Sequence, residues 1–200
     1  MRWAAGGVAP QAPVSAERLP KIRLRDQLRS MSGSSIPETQ RMPTPKEIDQ
    51  LLAIIDQAYN RRSWHGTNLR GSIRGVSPAR AASRPAPGRH NIWEIVVHAA
   101  YWKYVVWRRL TGEARGSFPL AGSNWFERPQ TLDETAWRAD VTLLDATHRT
   151  LRDAIARLPS RELNRKPRGS KVTNFSLLSG IAAHDLYHAG QIQLLKRLVK

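Results

Sequence analysis

The chain has 200 residues, which is enough for one domain with its own hydrophobic core. It contains no cysteine, and this excludes disulfides, thiolate metal ligands and a cysteine nucleophile. The net charge of +16 is compatible with a nucleic-acid partner. The excess Arg, however, lies in the tail, the connections and the last helix rather than on one basic helix face. We therefore expect a solvated surface with at most weak binding of polyanions.

The first 42 residues lack a sustained apolar period and are rich in Pro, Gly, Ser and Arg. They predict a disordered or weakly ordered extension, residues 1–42, ahead of a domain at residues 43–200. Met31 and Met42 are candidate starts of the native protein. Gly and Pro interrupt the apolar run of the opening stretch, which makes a poor secretory signal, and no run reaches the length of a membrane span. A cytoplasmic protein is therefore expected.

The first helix is predicted to begin with Thr44 as N-cap, Pro45 at the first helical position and Glu47 completing a capping box. Five apolar residues then recur at helical spacing and form one stripe: Ile48, Leu51, Leu52, Ile55 and Tyr59. Repeated Gly and Pro between residues 66 and 89 predict a long connection that contains only short helical turns.

The second helix is predicted over residues 91–112, with Asn91 as its cap and Gly112 as its end. It is apolar over more than one face, which predicts packing on several sides. An irregular connection follows over residues 111–130, and its aromatic residues Phe118 and Trp125 are candidates for a lid over a site.

The third helix is predicted to begin at a capping box from Thr131 to Glu134, and the fourth to run from about Phe175 to Leu198. Apolar residues of the third helix recur in steps of four and three, which indicates the seam of a bundle. The absence of a convincing strand pattern predicts an all-α fold. We expect a four-helix bundle whose long connections after the first two helices are crossovers.

Two histidines of the fourth helix, His184 and His188, are four residues apart, so both imidazoles project from one face. This spacing suits two nitrogen ligands of zinc or a similar ion. A third histidine, His98, lies in the very apolar second helix, where an unpartnered imidazole would cost about 1–3 kcal/mol. Shared coordination of one ion would satisfy all three. A zincin motif is not expected, because Asp185 stands where the zincin base is a Glu.

The stretches "HNIWEIVVHAAYW" and "HDLYHAGQIQLLKR", with "SWHGTNLRG" upstream, resemble the DinB-like superfamily of metal-binding four-helix bundles over roughly residues 44–200. The resemblance assigns the metal ligands to His98, His184 and His188. It also implies a homodimer, a nickel, zinc or similar divalent ion, and a relation to S-transferases and isomerases that use bacillithiol or mycothiol. Many members of the superfamily have no assigned reaction.

Three histidine ligands leave coordination positions open, as catalytic sites do. The leading hypothesis is therefore a metal-dependent enzyme acting on a small molecule, either an S-transferase with a low-molecular-weight thiol as cosubstrate or a related hydrolase or isomerase. The alternative is a non-catalytic bundle that binds a metal or a stress-related ligand. Nucleic-acid binding is a third and weaker hypothesis. No residue is assigned as catalytic, since Glu94, the candidate base, is explained by its capping position.

Five further residues are candidates for a substrate pocket: His65, Trp102, Trp125, His148 and Gln191. Gln191 lies one turn beyond His188 and can hydrogen-bond a ligand or a bound water. Trp102 lies one turn after His98, where core packing is the rival interpretation. His148 falls in the seam of the third helix and fits a core histidine better than a ligand. For His65, pocket lining and simple helix termination are equally supported.

Overall fold

The computed structural model describes residues 46–199, and within this range the chain forms helices and no strand. Four helices are long and two are short: α1 Glu47–Tyr59, α2 Leu69–Ser72, α3 Pro78–Ala82, α4 Ile92–Thr111, α5 Glu134–Ala156 and α6 Asn174–Leu198. The all-α prediction is confirmed. The predicted extension at residues 1–42, as well as Thr44 and Pro45, lies outside the described residues. The capping box predicted for the first helix is wrong, because α1 begins at Glu47 and its N-cap is Lys46, whose side chain makes no capping hydrogen bond. No helix in residues 46–199 is long and apolar enough to cross a membrane.

Each long helix packs against two others, so that α4 lies between α5 and α6, and α1 contacts the same two helices. The connection between α1 and α4 joins helices that do not pack extensively on each other within residues 46–199, and its short helices α2 and α3 pack on α6 and α4 respectively. The connection between α4 and α5 instead joins direct neighbours, but these two helices are parallel, because Trp93 near the start of α4 packs on Trp137 near the start of α5 at 5.1 Å. The 112–133 connection therefore runs back along the bundle, as the crossover predicted after the second helix requires.

The ends of the long helices follow from local hydrogen bonds. Asn91 and Glu94 form a complete capping box at the start of α4, and Gly112 ends that helix at φ 78°, which only glycine adopts without strain. The start predicted for α5 is wrong. Its N-cap is Asp133, whose carboxylate accepts a hydrogen bond from the Ala136 backbone N–H, because an anionic acceptor at this position also interacts favourably with the helix dipole. Thr173 caps α6 in the same way.

The core consists of two apolar clusters with buried polar residues between them along the long helices. In α4, Lys103 lies between Ala100 of one cluster and Val106 of the other. The same order recurs in α5 with His148, and α6 has the reverse order, with Asp185 between Ala182 of the second cluster and Ile192 of the first. All three polar side chains are buried, so this middle layer requires internal partners to offset desolvation. We call Lys103, His148 and Asp185 the polar layer.

Candidate metal centre

The three predicted ligands converge on one point between α4 and α6. The Nε2 atom of His184 lies 3.2 Å from Nε2 of His98 and 3.1 Å from Nε2 of His188. His98 is supplied by α4, whereas the other two lie one turn apart on α6, which packs directly on α4. One ligand atom from each residue falls within 4.8 Å of the others. These histidines are called the triad below.

The spacing of these nitrogens fits coordination of one ion. Metal–nitrogen bonds of about 2.0–2.1 Å place neighbouring ligand nitrogens about 2.9–3.4 Å apart in octahedral or tetrahedral geometry. The observed separations of 3.1 and 3.2 Å fall in this interval.

Hydrogen bonds on the far side of two rings determine where their protons lie. Nδ1 of His98 is 2.8 Å from the backbone carbonyl of Asn124, which can only accept, so Nδ1 carries the proton. Nδ1 of His188 is 2.7 Å from Oε1 of Gln191, with the same consequence. Both Nε2 atoms therefore present lone pairs toward His184, which has one Nε2 proton at most. A cation satisfies all three nitrogens at once.

Burial keeps the triad in the neutral form that binds metals. Burial, together with the positive charges of neighbouring His188, His98 and Lys103, lowers the pKa of His184 to about 3. Burial likewise lowers the pKa of His188 to about 4 and moves that of His98 downward. Metal binding requires neutral imidazole rings. Because the lowered pKa values already keep the three rings neutral at pH 7, metal binding need not displace a proton from an imidazolium group.

The connection between α4 and α5 covers the His98 side of the site. Trp125 stacks on His98 with ring centroids 3.8 Å apart, and His90 stacks on the Trp125 ring at 3.6 Å. Asn124 has φ 64°, a conformation that Asn tolerates better than most residues, and its Oδ1 accepts a hydrogen bond of 3.0 Å from Trp102 Nε1. Nothing in the sequence marks Asn124 or His90 as neighbours of the triad.

The pocket candidates separate into two groups. Trp125 and Gln191 contact the triad directly, and the Trp102 ring lies 6.3 Å from the His98 ring. The other two are elsewhere. His148 is buried in the polar layer and stacks on Tyr59 at 3.7 Å, and the exposed His65 contacts Ser63 and Trp64. Substrate contact by any of the five stays a prediction.

Asp185, which follows His184 in α6, is paired with a lysine and is not available to act as a base at the triad. It is fully buried and accepts a hydrogen bond from the ammonium group of Lys103, which also lies 4.7 Å from the centre of the Tyr59 ring. Burial lowers the pKa of Lys103 and raises that of Asp185, while their mutual attraction opposes both shifts. Sequence patterns did not indicate Lys103, because one cation in an apolar helix resembles a snorkelling surface residue.

The only Glu of α4 is likewise occupied. Glu94 accepts hydrogen bonds from Arg84, from the backbone of Asn91 and, at 2.9 Å, from His90 Nδ1. These contacts fix the start of α4 and the ring that stacks on Trp125. Glu94 therefore supports the site's architecture, as its capping position predicts.

His148 makes the stability of the metal-free protein dependent on pH. Burial lowers its pKa to about 2, whereas the unfolded chain titrates near 6.5. The free energy that neutral His148 contributes to folding is thus complete above pH ~6.5. It is lost as the pH falls toward the pKa of His148 in the folded protein, at about 1.4 kcal/mol per pH unit. We expect His148→Phe, which retains stacking on Tyr59, to flatten the decline in unfolding free energy between pH 7 and 5.

Urea denaturation in the presence of a chelator measures this effect. His65→Gln is the matched control, because it removes an exposed histidine, and it should retain the wild-type slope. Equal slopes for wild type and His148→Phe would mean that His148 protonates without unfolding the protein.

Comparison with known proteins agrees with this geometry. The sequence profile of the DinB superfamily matches residues 60–192, which include the whole of α4, α5 and the triad. Searches of curated proteins and of solved structures found no significant match. The match covers well over half of the chain and spans every residue of the candidate metal centre. This protein belongs to the DinB superfamily.

Proposed function

We propose that this protein is a metal-dependent enzyme whose triad holds a divalent ion, nickel or zinc, and that it transfers a group to or from a low-molecular-weight thiol. The observation that carries the proposal is the convergence of three Nε2 lone-pair positions, two of them oriented by hydrogen bonds at Nδ1. Three protein ligands leave coordination positions for a reactant, as catalytic sites do. We further propose that the protein acts on a small molecule in the cytoplasm.

The divalent ion supplies a Lewis acid that favours the thiolate form of a bound thiol near neutral pH. The thiol must come from solution, because the chain has no cysteine. Asn124 and Gln191 hold the rings of His98 and His188 in the orientation that directs Nε2 inward. Trp125 covers one face of His98 and keeps water from it. The protein's part is thus to orient ligands and to shield the centre.

Turnover of an electrophile with a small thiol tests the proposal. We expect the nickel- or zinc-loaded protein to accelerate conjugation of monochlorobimane with bacillithiol or mycothiol, and His188→Ala to reduce the rate by at least about a hundredfold. Arg161→Met, which changes an exposed side chain, is the control and should retain the wild-type rate. A loaded wild-type protein that does not accelerate either reaction would contradict transferase activity with these thiols.

A second function is favoured by the occupancy of Glu94. Because this carboxylate is engaged by Arg84, His90 and Asn91, it is not free to act as a base beside the triad. A bundle that binds a metal or a stress-related ligand without turnover needs no such base. Metal binding that is lost in His188→Ala, together with no thiol-dependent turnover, would favour this function.

We also propose that a second copy of the chain packs on the outer face of α6. Seven exposed residues on this face recur in steps of four and three, the spacing of a helix–helix seam: Ser176, Gly180, Ala183, Tyr187, Gly190, Leu194 and Arg197. Both glycines have open space where a Cβ would lie, so another helix can approach closely there. Analytical ultracentrifugation of wild type and Ala183→Glu tests the homodimer, which the variant should dissociate.

A further inference from the structure

A cavity of about 580 Å³ lies beside the triad, between α4 and the connection that follows it. Trp102 and Asn124 line this cavity, and the same two residues contact the His98 environment, Trp102 through its ring and Asn124 through its carbonyl. The volume is in the range of small-molecule sites. A ligand in this cavity would therefore touch the residues that orient a metal ligand.

The charges that line the cavity have one sign. Arg108, Arg109 and Arg115 contribute to its wall, and no Asp or Glu does. Within residues 46–199, none of these three arginines forms an ion pair with a carboxylate. Three guanidinium groups without a counter-charge raise the potential in a concave site and favour an anion.

One N–H of these guanidinium groups lacks an acceptor. Nε of Arg108 is buried and has no hydrogen-bond partner in the described part of the chain, while its Nη1 reaches the Glu113 carbonyl at 3.3 Å. A buried N–H without an acceptor is unfavourable, because it loses its hydration. An anionic ligand oxygen would supply that acceptor.

The remaining wall is aromatic and apolar. Tyr101, Trp102 and Phe118 contribute rings, and the Tyr101 and Phe118 rings meet edge to face at 5.3 Å. Flat apolar groups pack favourably on such rings, and a planar guanidinium group binds carboxylate or phosphate oxygens in pairs. The two kinds of wall together suit a molecule that carries an anionic group on a flat apolar body.

We propose that this cavity binds a small organic anion with a planar, apolar body, held by Arg108 and Arg115 through its anionic group and by Trp102 and Phe118 through its flat part. That this anion is the substrate of the triad rests on the proposed function, whereas binding of the anion itself does not. The triad alone does not indicate a substrate class, whereas the lining of the cavity indicates a flat organic anion. A carboxylate and a phosphate both present paired anionic oxygens to a guanidinium group.

Isothermal titration calorimetry with 2-naphthoate and its uncharged analogue 2-naphthamide tests the charge requirement. We expect the full chain to bind naphthoate at least about tenfold more tightly than the amide. Arg108→Met and Arg115→Met should each remove most of this preference. Arg115 is exposed, so its variant is not expected to disturb folding, and Arg161→Met is the matched control with wild-type affinity.

Equal affinities for 2-naphthoate and 2-naphthamide would overturn the proposal. A loss of naphthoate affinity in Arg161→Met as large as that in the cavity variants would do the same. So would displacement of naphthoate by single-stranded oligothymidylate at physiological salt, since it would assign the arginines to a nucleic-acid strand. Aryl phosphate binding of similar strength to naphthoate would support it. The titrations are run with chelator and again with Zn²⁺. Naphthoate binding without metal binding rejects the proposed metal function alone, and metal binding without naphthoate binding rejects the anion site alone.

Discussion

Replacing His98 by alanine is expected to weaken binding of Ni²⁺ or Zn²⁺ by more than about a hundredfold. Loss of a residue that only orients a ligand already costs about 10–100-fold in metal affinity, and His98→Ala removes the ligand itself. The variant also leaves His184 and His188, two neighbours on one helix, without the ligand from α4 that closes the site. Competition with a chelating indicator measures the affinity.

Gln191→Leu and His65→Ala calibrate this result. Gln191 touches His188 Nδ1 without belonging to the triad, so its variant should lose about 10–100-fold and thus fall between wild type and His98→Ala. His65 contacts Ser63 and Trp64, and its loss should leave the affinity unchanged. Equal affinities of wild type and His98→Ala would contradict a site shared between α4 and α6.

Replacing Lys103 by methionine is expected to reduce the free energy of unfolding by about 3–5 kcal/mol, because Asp185 is then left as a buried charge without a partner. Both side chains of this pair are almost entirely inaccessible to solvent, and Oδ1 of Asp185 already lacks a hydrogen-bond partner among residues 46–199. Methionine retains an unbranched apolar stem but removes the ammonium group, including its contact with the Tyr59 ring. Urea denaturation at pH 7 measures the loss.

The double variant Lys103→Met/Asp185→Leu separates the charge from the packing. It removes both ionised groups while filling a similar volume, so we expect it to recover most of the stability lost by Lys103→Met. A single variant that loses less than about 1 kcal/mol would show that Asp185 is neutral or hydrated when Lys103 is absent. Metal titration of the double variant then shows whether the pair also positions the adjacent His184.

The existence of the helices and the shared face of His184 and His188 were accessible from the sequence because both depend on local spacing, whereas His98 was assigned by its apolar surroundings and the family resemblance. Two histidines four residues apart must share a helix face, and a complete capping box at Asn91 and Glu94 was confirmed. The start of α5 was predicted wrongly, since Thr131 and Asp133 both suit an N-cap and the pattern does not rank them.

The environment of the ligands depended on contacts distant in sequence. Asn124 bonds to His98 across 26 residues, and Lys103 meets Asp185 across 82. The cavity arginines are also distributed between a helix and a loop, so no sequence window shows them facing one space. Side-chain direction in a connection depends on how that connection is anchored, as Arg128 is to Asp140 at 2.7 Å.

Periodicity and short motifs are properties of neighbouring residues, and they were enough to predict the all-α class, the family and three histidines as candidate metal ligands. Helix packing was needed to show that His98 Nε2 faces His184, that the Asn124 carbonyl sets the tautomer of His98, and that Lys103 pairs with Asp185. These relations depend on helix packing and on the course of the 112–133 connection. Packing free energy is a sum over many distant contacts, which no local pattern records.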